Sequence, residues 1–131
     1  MYDRRRMSLL PPPRVLTARL AVFLGAATLT SMLFINFCHL VFQCGCRSWW
    51  AGAADHCNIH MAGVPHCPWC TSGGFSGYVS FGAIVVVQAL IAFWPGGAGV
   101  LGRLSGALLA FPVVGGIGAV VSGLATGYWS G

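Results

Sequence analysis

Three long stretches of apolar, almost uncharged sequence constrain this chain more than any other feature. They cover residues 20–43, 76–94 and 104–129. Each is long enough to cross a hydrocarbon core of about 30 Å as an α-helix. Only 7% of the 131 residues are charged, whereas a soluble domain carries about 25%. Because so few charges cannot cover a water-facing surface, the sequence predicts an all-α integral membrane protein with three transmembrane helices.

The segments between the apolar stretches predict a tail, a loop and a turn. Residues 1–19 combine an arginine cluster with three consecutive prolines, which is typical of a basic, extended tail. Residues 44–75 form an extramembrane loop rich in Cys and His, and residues 95–103 form a short glycine-rich turn. The length of the first stretch and its lack of a small-residue cleavage site favour a retained helix over a signal peptide.

The arginines predict the orientation of the chain. Five of the seven lie in the tail, Arg103 lies in the short turn, and only Arg47 lies in the loop. Cytoplasmic segments carry an excess of positive charge. We therefore expect a cytoplasmic N-terminus, with the loop and the C-terminus on the exported side (of the cytoplasmic membrane, if the source is bacterial). Positive charge beside a membrane segment favours contacts with the bilayer, and we expect no nucleic-acid partner.

Two patterns within the helices concern packing. Polar Asn36, His39 and Gln43 share one face of the first helix, and we expect that face to turn inward and to meet Gln88. Small residues recur every fourth position of the third helix, at Gly115, Ala119, Gly123 and Gly127. Such a stripe lets helix backbones approach closely. It predicts close packing within this chain, or against a second copy or a larger membrane complex.

The loop contains the sequence "HCNIHMAGVPHCPWC" at residues 56–70, which holds two half-sites. They are Cys57-x2-His60 and Cys67-x2-Cys70, and each spacer lets both side chains turn toward one point. Together they offer three thiolates and one imidazole, a set typical of structural zinc, while thiolate-rich sites also suit Cu(I). The sequence thus predicts a zinc or copper ion on these four residues. Further candidate ligands are Cys38, Cys44, Cys46, His39, His56 and His66.

Two other interpretations of the cysteines stay open. In the first, the six cysteines form three disulfides, for which fifteen pairings are possible. Disulfides that staple an exported loop are typical of an accessory subunit. Alternatively, "CPWC" and the "CGC" of Cys44 and Cys46 act as two redox dithiols. Their arrangement resembles the plan of the quinone-linked membrane thiol oxidases of the bacterial envelope. Those proteins are four-helix bundles, whereas this sequence has three predicted spans.

Other chemistries lack their motifs. Thr71 follows Cys70, so the C-x-x-C-H attachment motif of haem is missing, and the chain contains no phosphate-binding glycine loop for a nucleotide. Only two acidic residues occur, which disfavours acid–base catalysis by carboxylates. The sequence therefore favours a metal-binding protein over an enzyme, with thiol–disulfide oxidoreductase as the enzymatic alternative.

Overall fold

A computed structural model describes residues 11–130 and contains three long helices, with no strand in that range. The helices are α1 (Pro13–Phe42), α2 (Phe75–Phe93) and α3 (Val100–Thr126). All three are long and apolar enough to cross a membrane, which confirms the predicted fold class. The loop between α1 and α2 contains four short 3₁₀ helices, at Trp49–Ala51, Ala53–His56, Asn58–His60 and Ser72–Gly74.

The first helix begins earlier than predicted, at Pro13 rather than at residue 20. Proline is well suited to the first position of a helix, because its missing N–H would have no intrahelical partner there. The last proline of the triplet therefore starts α1, and Arg14 and Arg19 belong to the helix. The third helix likewise begins at Val100 rather than at residue 104. The rest of the predicted tail, residues 1–10, lies outside the described residues.

The buried face of α1 differs from the expected polar face. Its buried residues fall at intervals of four or eight positions, at Val22, Ala26, Thr30, Cys38 and Phe42. His39 and Gln43 are exposed instead. These side chains lie near the end of α1, where the loop supplies partners: Ser48 donates to Asn36 Oδ1 (2.9 Å) and the Gly45 amide donates to His39 Nδ1 (3.0 Å).

Gln88 ties the three helices together in mid-bundle. It is completely buried, and its Nε2 donates to Thr30 Oγ1 at 2.8 Å and to the Ala107 carbonyl at 3.0 Å. These contacts link α2 to α1 and α3. The inward partner of Gln88 is therefore Thr30 and not the stripe of Asn36, His39 and Gln43.

Two arginines close the end of the bundle remote from the loop. Arg103 is buried, and its guanidinium donates to five backbone carbonyls, those of Ile91, Ala92, Trp94, Gly96 and Ala98. Arg19 donates to the Phe93 carbonyl at 3.2 Å. Because the last carbonyls of a helix lack intrahelical donors and carry partial negative charge, these cations stabilise the carboxyl end of α2.

The small-residue stripe of α3 packs largely within the chain. Gly115, Ala119 and Gly123 are buried. A Cβ at Gly115 would lie 3.0 Å from the Phe37 ring, and one at Gly123 would overlap the Trp129 ring. Gly127 ends α3 in the left-handed region, at φ 66°. Association with a second copy or a larger complex through α3 stays a prediction.

Candidate metal centre

All six cysteines of the chain meet at the loop end of the helix bundle. Cys38 comes from α1 and the other five come from the loop. Cys70 is half-buried, the remaining five are buried, and all six are free thiols. The cluster therefore joins a rigid helix to three separated parts of the loop, around Cys44 and Cys46, around Cys57, and around Cys67 and Cys70.

The sulfur atoms are close but not bonded. Cys38 Sγ lies 3.6 Å from Cys44 Sγ and 3.5 Å from Cys67 Sγ, and Cys46 and Cys70 are 3.5 Å apart. A disulfide would bring two sulfurs to about 2.05 Å. The sulfurs form four groups of three, each with all its atoms within 4.8 Å of one another. The groups are Cys38, Cys44 and Cys67; Cys38, Cys46 and Cys70; Cys44, Cys46 and Cys57; and Cys57, Cys67 and Cys70. Such a cluster is close enough to hold a metal ion.

The structure brings together three of the four first-choice ligands. Cys57, Cys67 and Cys70 form one of the groups, whereas His60 is exposed and belongs to none. Cys57 also forms a group with Cys44 and Cys46. The cluster instead adds three cysteines that the sequence marked only as further candidates, Cys38, Cys44 and Cys46.

The other histidines also lie outside the cluster. His39, His56 and His66 are exposed, and none of them belongs to a sulfur group. His66 Nε2 donates to the Met61 carbonyl at 3.0 Å, and His39 accepts from the Gly45 amide. Two of these histidines therefore hold the loop backbone, and the candidate ligand set consists of thiols alone.

Asn58 organises the loop around the thiols, a role that the sequence analysis missed. Its backbone N–H donates to the Cys44 carbonyl (2.7 Å), and its Oδ1 accepts from the Cys67 N–H (2.8 Å). Its Nδ2 donates to the Pro65 carbonyl (2.9 Å) and to Tyr128 Oη (3.0 Å). Tyr128 in turn donates to the Phe42 carbonyl at 2.6 Å. One asparagine thus links two cysteine segments to the ends of α1 and α3.

Trp69 anchors the C-x-x-C turn in the helix bundle. The Cys70 N–H donates to the Cys67 carbonyl at 3.1 Å and closes the turn. Trp69 at its centre is only 4% exposed and stacks on Phe34 with ring centroids 4.8 Å apart. Its Nε1 donates to Ser122 Oγ at 3.2 Å. Gly77 of α2 gives the turn room, because a Cβ there would lie 2.8 Å from the Trp69 carbonyl oxygen.

Burial and sulfur–sulfur hydrogen bonds shift the pKa values of the loop thiols. Burial raises the pKa of Cys57 to about 12. Hydrogen bonding with Cys38 lowers the pKa of both Cys44 and Cys67. A lowered pKa makes the proton of a thiol easier to displace. Since metals bind thiolates, an incoming ion displaces those protons.

A cavity gives access to one side of the cluster. It has a volume of about 540 Å³ and is lined by Phe34 of α1, by Tyr78 and Phe81 of α2, and by other residues of these helices and the loop. Cys38, Cys46 and Cys70, one complete sulfur group, also line it. An ion or a small ligand can therefore approach this group between α1 and α2.

Gly45, between Cys44 and Cys46, cannot accept a side chain. Its φ is +85°, and a Cβ would overlap the His56 carbonyl oxygen. We expect Gly45→Ala to lower the free energy of unfolding by about 3 kcal/mol or more, because backbone strain and the overlap add. It should also lower the metal retained on purification, because it displaces two cysteines. Thermal unfolding in detergent and elemental analysis measure both effects.

Gly63 provides the matched control for this substitution. It lies in the same loop at φ +79°, but nothing lies within 4 Å of its Cβ position. Gly63→Ala should cost only the backbone strain, about 1 kcal/mol, and should leave the metal content unchanged. Equal effects of the two substitutions would contradict a specific requirement for glycine between the two cysteines.

A buried cluster of six cysteines at one end of three apolar helices defines this chain as a small helical membrane protein with a candidate metal centre. The chain matches no protein-family model, and comparisons with curated proteins and with solved structures find no significant match.

Proposed function

We propose that this protein binds a thiophilic transition metal at one face of a membrane and handles it there through the cysteine cluster. The observation that carries the proposal is the convergence of six free cysteines. Their sulfurs form groups of three in which all atoms lie within 4.8 Å of one another. Thiolate ligands select soft or borderline ions such as Cu(I) and Zn²⁺. The surrounding Phe42 and Trp69 side chains limit the access of water and of competing ligands.

Structural stapling by disulfides has less support. The sulfur contacts of 3.5–3.6 Å are not bonds. The loop also has other restraints, since Asn58 joins its segments and Trp69 anchors it in the bundle. A stapled loop needs neither the convergence of all six cysteines in one cluster nor the burial of five of them.

Thiol–disulfide exchange is the second candidate, and one contact favours it. Cys46 of "CGC" and Cys70 of "CPWC" lie 3.5 Å apart, so the two pairs are placed for exchange. However, a redox-active thiol must be reached by its substrate. Cys44, Cys46 and Cys67 are buried and only Cys70 is half-buried. The cavity is lined by Cys46 and Cys70 but not by Cys44 or Cys67, so neither pair presents both of its thiols to a substrate. Metal binding is therefore the better-supported function.

The arginines support an exported position for the metal centre. Arg19 and Arg103 meet at the carboxyl end of α2, remote from the cysteines. The positive-inside rule assigns this end to the cytoplasm. The cluster would then handle metal on the exported side, where it meets ions outside the cytoplasm.

The test is elemental analysis of the full chain, purified in detergent without reductant or chelator, with a thiol count on the same sample. We expect at least one equivalent of a thiophilic metal per chain, with thiols that react only after chelation. A matched sample treated with chelator and reductant should show six reactive thiols and no metal. Absence of metal together with absence of free thiols would overturn the proposal and favour disulfides.

A further inference from the structure

The four sulfur groups share their members in a regular way. Each cysteine belongs to two groups, and any two groups have one cysteine in common. The three pairs that share no group are Cys38 with Cys57, Cys44 with Cys70, and Cys46 with Cys67. The other twelve pairs, three in each group, all lie within 4.8 Å, which is the connectivity of an octahedron with the three pairs as opposite corners. The four groups are alternating faces of this octahedron, and its four remaining faces meet the same distance limit.

We propose that the cluster is a cage for four Cu(I) ions, each bound by the three thiolates of one group and each thiolate bridging two ions. The proposal deepens the proposed function and rests on it, since it requires that the cysteines bind metal. It differs from a single metal site in the number of ions bound, because all six thiolates together hold four ions. The observation that carries the proposal is the octahedral arrangement of all six sulfurs, since a mononuclear site needs no more than four of them.

The dimensions of the cluster suit this cage. With metal–sulfur bonds of about 2.3 Å, an ion at the centre of three sulfurs holds them about 4 Å apart. The three shortest contacts, of 3.5 and 3.6 Å, are within about half an ångström of that value. The other pairs within the groups lie within 4.8 Å. Ions at alternating face centres are separated by two-thirds of the sulfur–sulfur edge, or about 2.7 Å for such bonds.

The ligand set selects Cu(I) over zinc. Zinc in proteins takes four ligands, whereas each group offers three thiolates. None of the four groups in the described residues contains a His, Asp or Glu. Cu(I) is soft, prefers thiolates, and is stable with three of them.

Loading of the cage releases protons and sets its charge. When four Cu(I) ions replace the protons of six thiols, six protons pass to solvent and the cage carries two negative charges. Four Zn²⁺ ions in the same cage would leave two positive charges, and each ion would lack a fourth ligand. Access exists for loading, because Cys38, Cys46 and Cys70 line the cavity between α1 and α2.

The experiment is an anaerobic titration of the reduced, metal-free full chain in detergent with Cu(I), in competition with a chromophoric Cu(I) chelator. We expect four ions to bind per chain. X-ray absorption of the loaded protein should show sulfur as the only near neighbour of copper and a copper–copper distance of about 2.7 Å, from the bond length above. His60→Ala should bind the same number of ions, because His60 lies outside every group.

The outcomes separate this proposal from the function it rests on. Four ions with a short copper–copper distance support the cage. One ion per chain without a metal–metal distance overturns the cage and leaves metal binding intact. A protein that takes up no Cu(I) or Zn²⁺ when fully reduced overturns both.

Discussion

Replacing Cys38 by serine is expected to reduce the metal bound by the purified protein by at least half. Cys38 belongs to two of the four sulfur groups and contacts Cys44 and Cys67 at 3.6 and 3.5 Å. It is also the only cysteine on a long helix, so it connects the loop thiols to the bundle. Serine has nearly the same shape, but its hydroxyl is a hard, weak ligand for a soft ion. Metal-to-chain ratios from elemental analysis measure the effect.

His60→Ala is the control for Cys38→Ser. His60 is exposed and lies outside the sulfur groups, so its removal should leave the metal content unchanged. The Cys₃His set predicted from the loop spacing requires the opposite ranking. Loss of metal in His60→Ala with full retention in Cys38→Ser would contradict the six-cysteine cluster. It would favour the Cys₃His ligand set of the loop instead.

Trp69→Ala is expected to lower the free energy of unfolding by about 3–5 kcal/mol, the range for truncating a buried tryptophan. Trp69 stacks on Phe34, meets Phe42 edge to face with centroids 5.4 Å apart, and donates to Ser122. Its loss also frees the turn that carries Cys67 and Cys70. The variant should therefore retain less metal than the parent protein, as measured by thermal unfolding and elemental analysis in the same detergent.

Two further tryptophan variants separate the anchoring of the turn by Trp69 from the effect of removing any tryptophan side chain. Trp50 is 64% exposed, so Trp50→Ala should change neither stability nor metal content. Trp69→Phe keeps an aromatic ring but loses the hydrogen bond to Ser122, and it should cost about 1 kcal/mol for that bond, plus a small packing loss. If Trp69→Ala were as stable as Trp50→Ala, the turn would not be anchored by the bundle.

The fold class could be predicted from the sequence because a bilayer leaves few choices. Backbone polar groups in hydrocarbon must be satisfied internally, so three long apolar stretches become three helices. The turn of Cys67 and Cys70 was also predictable, since a two-residue spacer brings both ends of a turn together. The start of α1 was harder to predict, because proline breaks the interior of a helix but is favoured at its first position.

The inward face of α1 could not be predicted in the same way. In a membrane helix the residues that face lipid are as apolar as those that face the bundle, so hydrophobicity does not distinguish the two. Leu24 and Leu29 are exposed while Ala26 and Thr30 are buried. The polar residues near the end of α1 therefore do not mark its buried face, because Asn36 and His39 find their hydrogen-bond partners in the loop.

The sequence by itself determined the class of this protein and the chemistry of its centre: charge and length require membrane helices, and six cysteines supply soft ligands. Only the tertiary structure decided which residues meet. Local spacing connects residues three or four apart, whereas Cys38 and Cys67 meet across 29 positions. Their contact depends on Trp69 and Asn58 docking the loop onto the bundle. The same docking leaves all four histidines at the surface, and the candidate centre is consequently made of thiols alone.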